Sequence, residues 1–142
     1  MSDHPIEITI DSRIQSGKEK ESTNYSVQGN LVEKGEALYL RYEESLEIGK
    51  VSTTVKIDQE QVTVIRRGAL SMRQQFAPGQ VSESLYKTPF GAMPMQIRTE
   101  RIEQLVDMEN QKGRLTLRYL LYLEQDETQR HELSLSWKGA SQ

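Results

Sequence analysis

Tyr86 and Thr88 stand two residues apart, just ahead of Pro89-Phe90-Gly91. In an extended chain that spacing puts both hydroxyls on one side, where they can orient the same polar molecule. Thr88 precedes a proline and is therefore held out of the α region, and Gly91 is suited to a positive φ. Phe90, Met93 and Met95 offer an apolar wall beside the two hydroxyls. Arginines are the second resource. Arg66 and Arg67 are adjacent, so on a strand at most one of them points inward, and Arg67 is taken as the ligand-facing member. Arg101 shares its parity with Met95, Ile97 and Thr99, and faces inward if a bulge falls after it. A buried guanidinium needs an anion or a rich set of acceptors. Gln74 and Phe76, inward by parity with Met72, complete a spot that could grip a carboxylate or phosphate head group and cover its apolar remainder.

The other reactive side chains are scattered. His4 and His131 are the two imidazoles, one near the N-terminus and one after a turn, and neither has a convergent partner in the sequence. Serines are plentiful, but none sits in a Gly-x-Ser-x-Gly elbow, and no glycine loop is spaced to cradle phosphate. Glu43 and Glu44 are adjacent on a strand, point to opposite faces and cannot act on one atom. With no cysteine there are no thiolates and no disulfides. No catalytic residue, no metal ligand and no cofactor are expected.

Net charge is −3, which argues against a dedicated nucleic-acid binder. That average hides an asymmetry: residues 66–101 carry a net +4 and the rest of the chain −7. A local positive field of this kind attracts small anions. Apolar runs are short, so no membrane span is expected. The N-terminal residues lack the basic start and apolar stretch of a signal peptide, and a cytoplasmic location follows as the default.

Period-two alternation of apolar residues positions all of these groups. Leu115, Leu117, Tyr119, Leu121 and Leu123 show it best, followed by Leu133, Leu135 and Trp137. Such a rhythm puts one face of a strand in a core and the other in water. It recurs over ten segments, near residues 6–14, 22–33, 37–45, 51–57, 62–67, 70–76, 81–87, 95–109, 114–124 and 128–138. Gly29 marks a bend, and residues 88–94 break the rhythm. In the eighth segment parity changes between Thr99 and Ile102, which a one-residue bulge reconciles. The run 102–108 also suits a helical stripe, but strand is preferred there. Short connections favour neighbours pairing in sequence order. The expected fold is all-β: one domain over residues 1–142, with 1–4 as a flexible terminus. Its antiparallel up-and-down meander closes into a lipocalin-like barrel of about 8–10 strands.

Tyr86-Lys87-Thr88-Pro89-Phe90-Gly91, Arg67-Gly68, residues 72–76 and Thr99 resemble the uncharacterised bacterial YwiB-like family. So do Tyr39-Leu40-Arg41-Tyr42-Glu43-Glu44 and Leu115-Thr116-Leu117-Arg118-Tyr119. The resemblance covers essentially the full length. It implies a small cytoplasmic barrel of the lipocalin-like (calycin) type with no assigned activity, and carries no functional residues over. True lipocalins place a Gly-x-Trp on the first strand; here the one tryptophan, Trp137, is on the last.

The leading functional expectation is a non-enzymatic module binding a small anionic or amphipathic molecule inside the barrel. A second is a protein-interaction or oligomeric scaffold with a filled barrel, its patch formed by Tyr39, Leu120 and Tyr122; a homodimer fits either. A third, a hydrolase or isomerase using Tyr86 and an arginine, lacks a general base.

Overall fold

The computed structural model describes residues 2–123 and 128–140. Ten antiparallel strands form a single sheet: β1 (Ser2–Ser16), β2 (Glu19–Lys34), β3 (Ala37–Leu46), β4 (Gly49–Asp58), β5 (Gln61–Gly68), β6 (Met72–Phe76), β7 (Val81–Thr88), β8 (Gly91–Asp107), β9 (Lys112–Tyr122) and β10 (Thr128–Gly139). The expected all-β meander is the observed one, wound into a nearly closed barrel. The join at 125–127 and the end of the ninth segment at Glu124 lie outside the described residues. Residues 2–4, read as a terminus, belong to β1, where His4 pairs with Leu31.

The alternating residues meet in one core. Ile6, Ile8, Leu31, Leu40, Val55, Val62, Phe76, Leu115, Leu117 and Leu135 are all essentially inaccessible. Burying each such side chain is worth about 1.5–3 kcal/mol, so the inner face of the meander drives closure. Trp137 lies over Gly113, where any β-carbon would collide with the indole. Of the run 102–108, residues 102–107 are strand in register with β9, and Met108 opens the turn that follows.

First and last strands close the circle with a full ladder, from Ile6↔Gly139 to Gln15↔Arg130. Two places are not laddered. β2 pairs with β1 along its length but meets β3 only from Gly29 onward. At Gly29 a β-carbon would strike the Arg41 carbonyl and the Ile8 side chain, so glycine permits the close crossing from which the two strands splay. The second place is between β6 and β7. Backbone pairing there is limited to one bridge, Ser71↔Lys87. Between its ends the seam is held by side chains: Ser82 Oγ donates to the Gln75 carbonyl and Ser84 Oγ to the Arg73 carbonyl, each at 2.7 Å.

The two interruptions of the rhythm take definite form, and the expected bulge is present. The break in rhythm over residues 88–94 does not interrupt the sheet: β7 and β8 pair up to Thr88↔Gly91, leaving Pro89 and Phe90 as the turn. Pro94 is tolerated inside β8 because β9 begins to pair only at Gln96, so the missing N–H costs no ladder bond. The bulge in β8 falls at Glu100, between Thr99 and Arg101. It therefore precedes Arg101 rather than following it, and turns that arginine outward.

Candidate functional site

The nine residues singled out from the sequence do not converge. Gln74, Phe76, Met95 and Thr99 are buried inside the barrel, and Tyr86 is half-buried against the same core. Phe76 packs against Tyr119 with ring centroids 4.8 Å apart. Thr99 Oγ1 accepts the Ala77 backbone N–H at 3.2 Å, tying the β6–β7 turn to β8. Thr88 is spent on its own turn, accepting the Phe90 N–H at 3.1 Å and donating to the Gly91 carbonyl at 3.3 Å. Phe90, at the tip, is 88% exposed. Arg101 lies outside, with Nε 2.8 Å from Glu103. Arg67 also faces out, opposite Ser52 on β4.

Arg66 is the arginine that points inward. Its guanidinium lies 3.6 Å from Glu44, and the two side chains are only 23% and 10% exposed. Tyr25 donates to the other Glu44 oxygen at 3.0 Å. This contact spans the splay between β2 and β3, so a side-chain bond stands where the ladder is missing. Burial, with Glu44 as a second cause, raises the Tyr25 phenol well above its usual range and pushes Tyr42 up to about 12. Both stay neutral, so the one formal pair in the cluster is Arg66–Glu44. His131 faces inward as well, stacked on Tyr119 at 4.8 Å and 14°. Burial pushes its imidazole down to about 4. From the sequence, an internal Arg–Glu pair is the rival to a ligand-binding use of these arginines; the parity that places Leu38, Leu40 and Tyr42 inside also places Glu44 there, and Val62 and Val64 do the same for Arg66, while nothing in the sequence singles out Tyr25 as the third member.

Several open clefts lie against the strands. One of about 440 Å³ runs over the β6–β7 seam. Arg67 from β5, Arg73 from β6 and Lys87 from β7 surround it beside the Glu44-paired Arg66, with Ile65, Met72 and Leu85 supplying apolar walls and Glu83 the one acid. Arg73 pairs with Ile65 across the β5–β6 ladder and Lys87 with Ser71 across the seam, which brings the three cations onto adjacent strands. Among the described residues none of the three has a carboxylate within 4.0 Å. Another cleft, of about 570 Å³, lies over β7, β8 and β9 beside Leu85, Pro94 and Tyr122. Tyr39, expected in an apolar patch, is instead covered by Arg41 and Lys56, 5.7 and 5.9 Å from its ring centre. The large apolar side chains that are exposed include Val81, Leu85, Phe90, Met93, Leu105 and Val106.

Among the described residues no three His, Asp or Glu side chains gather as metal ligands, and no helix is long and apolar enough to cross a membrane. Fold and side chains thus define a small, nearly closed β-barrel with a largely apolar core, a partly buried Arg66–Glu44 pair and a basic cleft beside the β6–β7 seam. The chain belongs to the family described as "Domain of unknown function (DUF1934)", whose model matches residues 8–135. It is similar to the uncharacterized β-barrel protein YwiB of Bacillus subtilis (strain 168), 28% identical over 137 residues, covering 96% of this chain and 95% of that protein. The crystal structure of the ywiB protein from the same organism superposes with a TM-score of 0.89, over 98% of this chain and 94% of that one. The YwiB-like resemblance read from the sequence therefore holds.

Proposed function

We propose that this protein is a non-enzymatic, cytoplasmic binding module for a small anionic, amphipathic molecule, held outside the barrel over the β6–β7 seam. One observation carries the reading: Arg67, Arg73 and Lys87 surround a single cleft without a carboxylate partner among the described residues. Cations close together repel one another, so an anion between them is favoured, and guanidinium groups match phosphate or carboxylate oxygens in pairs. Neighbouring strands lie about 4.8 Å apart, so groups on three of them reach across about 10 Å, the span of a head group and the first atoms of its tail. Ile65, Met72 and Leu85 then cover the apolar part. At about 440 Å³ the cleft falls in the size range of small-molecule sites, about 300–1,000 Å³. An interior ligand fits less well, because Phe76, Met95, Tyr119 and Leu121 occupy that space themselves.

Octyl phosphate is a suitable probe, with an uncharged octyl glycoside as its control. Amide shifts on titration are expected to change across β5, β6 and β7 for the phosphate and not for the glycoside. Arg73→Glu is expected to weaken binding at least tenfold, the size of losing about 1.4 kcal/mol of charge-assisted contact. Equal binding of both probes, or binding indifferent to Arg73→Glu, would rule the cleft out.

A further inference from the structure

β8 outruns its partner on one side. It pairs with β9 down to Asp107↔Lys112, but with β7 only as far as Val81↔Arg98. The turn after β6 adds a last pair of backbone bonds at Thr99, to Gly79 and Gln80. Beyond the bulge, Arg101–Asp107 has no backbone partner on that side among the described residues. The contact made from this stretch to the β4–β5 turn is a side-chain one, from Gln104 to the Gln59 carbonyl. Leu105 is 74% exposed and Val106 39%. Unpaired edges with exposed apolar residues are templates for another strand.

We infer that this edge joins a second copy of the chain, β8 against β8 in antiparallel order about a two-fold axis at Gln104. The residues on the edge are Arg101, Ile102, Glu103, Gln104, Leu105, Val106 and Asp107. Centred on Gln104, the pairing sets each Arg101 opposite the other copy's Asp107, and each Ile102 opposite the other copy's Val106. Charges and β-branched side chains are complemented twice, as an isologous interface requires. The neighbouring registers fail. A one-residue slip sets inward side chains against outward ones. Centring on Glu103 sets that carboxylate against its own copy, and centring on Leu105 sets Glu103 against Asp107. An extended peptide of another protein could use the same edge, but the self-match of sign along this stretch favours a second copy.

A seven-residue edge buries less than a standard interface, so the dimer is weak and concentration-dependent. Sedimentation equilibrium from about 10 μM to about 1 mM covers that range. The expected result is reversible dimerisation, with amide exchange at residues 101–107 slowing as concentration rises. Arg101→Asp removes both charge pairs, and Leu105→Lys places a cation on the apolar edge. Both sites are exposed, so the fold is expected to persist by circular dichroism while dimerisation weakens at least tenfold in each. A monomer over the whole range would overturn the inference, as would a dimer that neither substitution affects.

Discussion

His131 shows how one side chain ties the barrel to pH. In the unfolded chain its imidazole takes up a proton near its ordinary value of 6.5, while in the folded barrel burial holds it neutral until about 4. Between those values the unfolded chain holds more protons, so stability falls as pH drops through this window and is unaffected above it. Allowing for the partial exposure of the ring, the loss is on the order of 1–2 kcal/mol by pH 4. Urea midpoints at pH 7 and pH 4.5 measure it, and His131→Phe, which keeps a ring against Tyr119, should flatten the difference. The same residue marks the limit of reading by parity. Strict alternation places His131, Glu44 and Arg66 inside, but it does not show what partner each polar group finds there. Glu44 lies where β2 and β3 splay, whereas His131 and Arg66 sit inside continuous ladders and are held by their neighbours, Tyr119 and Glu44. Arg101 failed for the opposite reason: its parity was right, but the single extra residue, Glu100, sits before it and reverses its face.

At the level of strands, the weakest junction is the one between β6 and β7. Two hydroxyl-to-carbonyl bonds, from Ser82 and Ser84, stand where a continuous ladder would run. A net contribution of about 1 kcal/mol per bond is the expectation for such contacts. Replacing both serines by alanine should lower stability by about 2 kcal/mol and speed amide exchange in β6 and β7 ahead of the other strands. Uniform exchange across the sheet would show that the hydroxyls do not hold this junction. Alternation in the sequence located all ten strands, because each buried stripe must face the core. The strength of each junction was not legible there: it depends on where one strand stops relative to its neighbour, and Ser82 and Ser84 look like any polar pair in an alternating strand. The turn at Pro89-Phe90 was likewise hidden, since Pro94 reads as a breaker until β9 is seen to end before it.

Across the whole molecule, the first and last strands, β1 and β10, are neighbours. Ile6 pairs with Gly139, and the Ala140 N–H donates to the Pro5 carbonyl at 3.0 Å. Ladder order, read from one side of the seam to the other, runs β7, β8, β9, β10, β1 and on to β6. It differs from sequence order only in where the chain begins. A circular permutant should therefore fold: one that starts at Gln80, ends at Gly79 and joins the old ends by a short linker. It would keep every ladder, and none of them would then need the two chain ends to find each other. Loop closure across a long separation slows folding, so the permutant is expected to refold faster than the native order while sharing its circular dichroism spectrum. The seam at β6–β7, described above as a place of few backbone bonds, is in this sense where the barrel's own beginning and end lie.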